Sequence, residues 1–237
     1  MAARYGILVF PGTWSEVDWH EALAGVMGVQ AEYVFHKETS LARFDAVIVP
    51  GGFSYGDYLR PGAIARFSPV MSALAAYAAE GGPVLGSCNG FQVLCEAGLL
   101  PGALLRNRSL QFRCQPQFLR VERAAAPFTS LAREGQVLSV PISHGDGNYY
   151  ADDATLARME ANGQIAFRYC DGDGNVSAAA NPNGSRANIA GVTNEAGNVL
   201  GLMPHPERAV EAALGGVDGL VLLRSLDEAL AERVSAR

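Results

Sequence analysis

Cys88 sits in Gly86-Ser87-Cys88-Asn89-Gly90, directly after the short apolar run Pro83 to Leu85. A glycine two residues to either side of a nucleophile suits a strand that turns abruptly into a helix, because the turn strains the central backbone and leaves no room for bulky flanks. Such an elbow lifts a sulfur to the carboxyl end of a sheet and the amino end of a helix, where free N–H groups and the helix dipole favour thiolate. The elbow alone also suits a structural cysteine at a strand–helix corner. A base is what distinguishes the two, and 117 residues later (205 minus 88) Met203-Pro204-His205-Pro206-Glu207-Arg208 closes another apolar run. Histidine can take a thiol's proton and return it to a leaving group near neutral pH, and a carboxylate beside it holds its tautomer and stabilises its cation. Each proline pushes the residue before it towards an extended conformation, in which residues two apart point the same way, so Glu207 is expected on the side of His205.

These three groups suit acyl transfer through a thioester. The tetrahedral intermediate needs N–H donors for its oxyanion. Asn89, next after the nucleophile, offers one. Pro50-Gly51-Gly52-Phe53-Ser54-Tyr55-Gly56-Asp57, at the end of another apolar run, offers a second if its strand lies beside the elbow strand. The glycine loop lacks the Gly-Lys-Ser/Thr ending of a nucleotide-binding P-loop. Of the other histidines, His20 and His36 read as surface side chains. His144, in the glycine loop Ser143-His144-Gly145-Asp146-Gly147-Asn148, is a candidate site residue.

The elements that position these residues follow from periodicity. Continuous apolar runs at Tyr5–Phe10, Ala31–His36, Asp45–Val49 and Pro83–Leu85 read as buried strands. Between them, Ser15-Glu16-Val17-Asp18 reads as a capping box opening a helix with Trp19, Leu23, Val26 and Met27 on one face. Ser68-Pro69 opens another helix, whose buried face is Val70, Ala73, Leu74 and Tyr77. Asn89–Ala97 is a short helix ended by Gly98. This alternation predicts an α/β fold, a doubly wound, mostly parallel sheet with helices on both faces, and ligands at the strands' carboxyl ends. From Ala103 onward an added antiparallel β region is expected, with strands within 103–123 and 137–142. A β-hairpin of Gln164–Cys170 and Val176–Ala180 is expected around the turn Asp171-Gly172-Asp173-Gly174-Asn175. That acidic turn departs from a calcium loop at its sixth and twelfth positions, Val176 and Pro182. Asn181–Ser185 is a further turn, Ala187–Val192 and Asn198–Met203 are strands, and Asp218–Glu232 is a closing helix.

The 237 residues are read as one domain, 1–237, with formal net charge -6 and no basic footprint of a nucleic-acid binder. Arg106, Arg108, Arg113, Arg120 and Arg123 form a locally basic stretch, read as a solvated strand face. No apolar run reaches the ~18 residues of a membrane span, and Met1-Ala2-Ala3-Arg4 leads straight into a strand without a signal peptide. The four cysteines show no metal or dense disulfide spacing, so a reducing cytoplasmic location is expected and no metal site.

Taken together, Gly-x-Cys-x-Gly-x-Gln, the distant His-Pro-Glu and the Pro-Gly-Gly loop resemble the class I, or triad, glutamine amidotransferases, on a flavodoxin-like scaffold. Longer stretches are similar too: Pro50–Asp57, Cys88–Gln92, Leu99-Leu-Pro-Gly-Ala-Leu-Leu-Arg-Asn107 and His205–Arg208 resemble glutaminase subunits that serve a separate synthetase of purine biosynthesis. The similarity runs over roughly residues 5 to 230. It implies that Cys88 attacks the side-chain amide of L-glutamine, that His205 and Glu207 complete the triad, that Gly52 and Asn89 amides hold the oxyanion, and that Gln92 and the 143–148 loop, His144 included, contact the substrate. It also implies no cofactor on this chain. ATP and magnesium belong to the partner synthetase subunit, with a small bridging subunit as a further partner, and the isolated chain is expected to be weakly active. Ser87, where the family pattern expects an aliphatic residue, and Asp146, where it expects glutamate, depart from the resemblance. Rival readings are a cysteine hydrolase or glyoxalase on the same scaffold, which would lack His-Pro-Glu, a flavodoxin-like FMN-binding module, and a non-catalytic regulatory subunit.

Overall fold

A computed structural model describes residues 3–235. Met1 and Ala2, read above as part of a leaderless start, lie outside the described residues, as do Ala236 and Arg237 at the end of the expected domain. In chain order the strands are β1 (Arg4–Val9), β2 (Gln30–Phe35), β3 (Ala46–Val49), β4 (Val84–Ser87), β5 (Ala103–Leu105), β6 (Arg113–Val121), β7 (Val137–His144), β8 (Asn148–Tyr150), β9 (Ile165–Cys170), β10 (Ile189–Thr193) and β11 (Val199–Leu202). The helices are α1 (Glu16–His20), α2 (Pro69–Ala79), α3 (Asn89–Glu96), α4 (Asp153–Ala161) and α5 (Leu220–Ser235).

Nine strands form one sheet in the order β2-β1-β3-β4-β11-β10-β9-β6-β7, and β5 pairs with β8 apart from it. The five strands from β2 to β11 are parallel, and β10, β9, β6 and β7 continue antiparallel. This is the doubly wound, mostly parallel arrangement expected, with its antiparallel addition. The alternation of strand side chains divides the core in two. Tyr5, Ile7, Ala46 and Ile48 face one side and pack with Trp19, Leu23, Leu223 and Leu226. Leu8, Val47 and Val49 face the other and pack with Val70, Leu74, Phe91 and Leu94. Burying a side chain of that size contributes about 1.5–3 kcal/mol, so each helix is held to its face chiefly by a few such anchors.

Three local expectations are corrected. Ser15 caps no amide of α1. Its hydroxyl instead accepts the Gly51 N–H at 2.8 Å, so the capping-box residue is spent on the loop after β3. Val176–Ala180 is not a strand. β9 pairs with β6 on one side and β10 on the other, which leaves it no free edge for a local hairpin, although Asp171 does form a turn by accepting the amides of Asp173 and Asn175. His36 is buried rather than on the surface, with its Nδ1 3.0 Å from the Tyr55 hydroxyl. Helix α4 was not foreseen. It is short and weakly amphipathic, but Asp152 caps it by accepting the Thr155 amide at 2.7 Å.

The β4–β11 pair sets the site. Ser87 stands opposite Leu202 in parallel register, so Cys88 and His205 leave the sheet at the same edge. The Cys88 amide donates to the Leu202 carbonyl at 2.8 Å. The far edge strand β7 curls back over that end, where the His205 amide donates to the Pro141 carbonyl at 2.8 Å.

Candidate active site

Cys88 has φ 50 and ψ -109, a strained conformation between β4 and α3. Gly90 explains how the turn closes. A Cβ there would lie 1.8 Å from the Val49 carbonyl oxygen, so glycine lets the first turn of α3 press against the end of β3. That contact brings the Gly51-Gly52 loop beside the elbow. Gly52 has φ +146, and a Cβ on it would meet the Trp14 amide at 2.6 Å and the Gly12 carbonyl at 2.7 Å. Trp14 donates to the Gly51 carbonyl and Phe53 to the Gly12 carbonyl, on either side of Gly52. Among the described residues, the amides of Gly52 and Asn89 have no acceptor. Two free N–H groups therefore flank the sulfur, as an oxyanion site requires.

His205 and Glu207 meet at 2.7 Å, Nδ1 to Oε1, both buried. The segment is not fully extended as expected: Pro206–Arg208 is a 3₁₀ turn, closed by Arg208 donating to the His205 carbonyl. Proline at the first position is preset for such a turn, and the i, i+2 pair still forms within it. Burial opposes charge on His205, but the Glu207 carboxylate and the Cys88 sulfur outweigh it and lift the ring's pKa to about 10. The Cys88 thiol donates to the Ser143 carbonyl at 3.4 Å, and the His205 Nε2 has no hydrogen-bond partner among the described residues.

A polar chain joins three loops around the sulfur. Asn89 Oδ1 accepts the Ser54 amide at 3.1 Å and its hydroxyl at 2.6 Å. Asn89 Nδ2 donates to Gln92 Oε1 at 2.8 Å, and Gln92 Nε2 donates to the Asp146 carbonyl at 2.6 Å. Gln92 thus ties α3 to the 143–148 loop. Asp57, reached by Asn89 Nδ2 at 3.3 Å, has its pKa raised to about 6 by burial and by the nearby Asp146 carboxylate. The His144 ring is buried, with Nδ1 3.2 Å from Asn107 Oδ1, and burial with the nearby His205 depresses its pKa to about 4. Its neighbour Ser143, not His144, lines the crevice over Cys88, together with Trp14, Gly52, Phe53, His205 and Arg208. The crevice holds about 10 Å³, roughly one water molecule. A larger cavity of about 150 Å³ between Arg123, Thr129, Asn162 and Asn194 is lined by no cysteine or histidine.

Sequence reasoning missed four contributors. Ser15 and Ser54 brace the glycine loop. Asn107, fully buried, accepts the Gly147 amide at 2.9 Å and donates to the His144 carbonyl at 2.9 Å. Asn183 donates to the Gly147 carbonyl at 2.7 Å. The arginines split: Arg120 pairs with Glu122 at 2.7 Å, while Arg106 stays largely exposed. Among the described residues no group of three or more His, Cys, Asp or Glu side chains could hold a metal ion, and no helix is long and apolar enough to cross a membrane.

Residues 2–215 match the model of the CobB/CobQ-like glutamine amidotransferase domain. The chain is 60% identical over 223 residues to phosphoribosylformylglycinamidine synthase subunit PurQ of Moorella thermoacetica, covering 94% of each chain. It is 58% identical to the protein of the same name from Salinibacter ruber, covering 95% of this chain and 96% of the relative. Among solved structures, a chain of PurLQS from Thermotoga maritima superposes with a TM-score of 0.86 at 42% identity, covering 97% of this chain and 100% of that one.

Proposed function

This chain belongs to the family of CobB/CobQ-like glutamine amidotransferase domains, and from that premise we infer that it is the glutaminase subunit of phosphoribosylformylglycinamidine synthase. It hydrolyses L-glutamine to glutamate and ammonia. The ammonia passes to a separate synthetase subunit, which converts formylglycinamide ribonucleotide to formylglycinamidine ribonucleotide in purine biosynthesis. Near-full-length identity to two PurQ subunits and the likeness to PurLQS support this assignment and its assembly with a synthetase and a small third subunit. ATP and magnesium are then the synthetase's ligands, the whole chain acts as one domain, and its place is the cytoplasm.

The roles of the individual residues are part of the same proposal. The Cys88 sulfur attacks the glutamine side-chain carbonyl carbon. Charge developing on the carbonyl oxygen is met by the Gly52 and Asn89 amides. His205, held by Glu207, carries the thiol proton to the amide nitrogen, the C–N bond breaks, and ammonia leaves behind a glutamyl thioester. His205 then takes a proton from water, whose oxygen adds to the thioester carbon. Cys88 departs as thiolate and glutamate is released. Gln92, through the Asp146 carbonyl, and His144, buried behind Ser143, hold the 143–148 loop against which the amino acid's α groups lie.

The observation that carries the mechanism is the pair of acceptor-free amides, Gly52 and Asn89, on either side of a sulfur that shares its crevice with His205. The test is intact mass after exposure of the complex to 6-diazo-5-oxo-norleucine. One adduct on the wild-type chain and none on Cys88→Ala is expected. Cys88→Ala in the complex should also lose glutamine-dependent synthesis while retaining synthesis from added ammonia. Adduct formation on Cys88→Ala, or failure of ammonia to restore synthesis, would overturn the assignment of roles.

A further inference from the structure

Glu207 is buried, yet His205 supplies only one of the hydrogen bonds its carboxylate can accept. A buried carboxylate with few donors is costly. Among the described residues one other side chain reaches it. Ser87, fully buried at the end of β4 and directly before the nucleophile, places its hydroxyl 3.5 Å from Glu207 Oε1, the oxygen that also receives His205. The hydroxyl's orientation is set from behind. The indole N–H of Trp19, itself fully buried on α1, donates to Ser87 Oγ at 2.9 Å. With a lone pair taken by the indole, the Ser87 proton has Glu207 Oε1 as its acceptor among the described residues.

We propose that Ser87 is a positioning residue for the triad: Trp19 holds its hydroxyl, and its hydroxyl holds the Glu207 carboxylate on His205. The inference rests on the catalytic reading above. It extends the line of groups from Cys88, His205 and Glu207 to Ser87 and Trp19. The line crosses the sheet from the elbow to the helix packed behind it. An aliphatic residue at 87 could not accept the Trp19 N–H, so serine here satisfies the indole and the carboxylate with one atom. The Ser87 hydroxyl draws on the charge of Glu207 Oε1, and its removal leaves that charge to the His205 ring alone, which then holds its proton to higher pH.

The experiment measures the rate of Cys88 modification by 6-diazo-5-oxo-norleucine against pH, in the complex with the synthetase subunit. Wild-type labelling at Cys88 tests the catalytic reading itself. With that in hand, Ser87→Ala should move the acid limb of the profile to higher pH by about one unit, a roughly tenfold loss on the acid side that shrinks as pH rises. Ser87→Thr, which keeps the hydroxyl, should restore the wild-type profile. Trp19→Phe keeps the ring but frees the Ser87 hydroxyl, and should move the limb the same way by a smaller amount. It serves as the second reading if the Thr variant does not fold. A uniform loss at every pH, or an unmoved limb in both Ser87→Ala and Trp19→Phe, would overturn the proposal and leave Ser87 a packing residue.

Discussion

The Ser143 carbonyl, not His205, takes the hydrogen bond of the Cys88 thiol, at 3.4 Å. With about 10 Å³ above the sulfur, the crevice that Cys88 shares with His205 is too small for a glutamine molecule. A shift of β7 or of the Trp14–Phe53 wall must precede reaction. If the open form is a minor one, populated at roughly 0.1–10%, the isolated chain should turn over glutamine ten- to a thousandfold more slowly than the complex. Glutaminase assays with and without the synthetase check this, and equal rates would refute it.

Glu207→Gln should lower turnover by about 10²-fold or more, because a neutral partner holds the imidazolium poorly. It should also change the pH dependence of stability. Burial disfavours the charged ring, but the Glu207 carboxylate beside it and Cys88 outweigh that, raising its pKa from the usual 6.5 to about 10. A ring raised in this way lends stability that is whole below 6.5 and is lost as pH rises through about 10. The Tm gap between wild type and Glu207→Gln should therefore be widest near pH 6 and close towards pH 10.

Gly90→Ala reverses a general trend. Alanine inside a helix usually stabilises relative to glycine, by about 0.5–1 kcal/mol. Here the new methyl would sit 1.8 Å from the Val49 carbonyl. Overpacking against backbone costs about 1–3 kcal/mol, so the urea midpoint should fall, and labelling of Cys88 should slow as α3 is pushed off β3.

Asn107→Ala removes a buried side chain that holds the Gly147 amide and the His144 carbonyl. Leaving such groups unpaired costs about 1–3 kcal/mol. Because Asn107 touches the loop and not the sulfur, KM for glutamine should rise more than kcat falls in steady-state kinetics of the complex.

The chemistry was the more legible part, because it depends on short spacings. Gly86 and Gly90 about Cys88, and one residue between His205 and Glu207, are properties of a few adjacent positions. The parallel strands were legible for a similar reason, since burial on both faces leaves unbroken apolar runs. What depended on distant partners was not. Ser15 carries a helix-capping pattern, but the nearby Gly51 amide claims its hydroxyl. Val176–Ala180 lost its hairpin because β9 pairs instead with β6 and β10, strands remote from it in the chain, with Phe118 opposite Cys170 and Ile189 opposite Arg168. Trp19 read as a core residue, and it is one, but periodicity cannot say that its indole nitrogen points at Ser87.

The partnership of β4 and β11 has a consequence for how the protein is made. Ser87 and Leu202 face each other although 115 positions separate them (202 minus 87). Pairings of such separation pay a large loop-closure cost and form late. While residues beyond 198 are still within the ribosome, β4 has only β3 beside it, the Cys88 amide lacks the Leu202 carbonyl, and the base that serves the thiol does not yet exist. A growing chain therefore carries its nucleophile for more than a hundred residues of synthesis before the base that serves it follows.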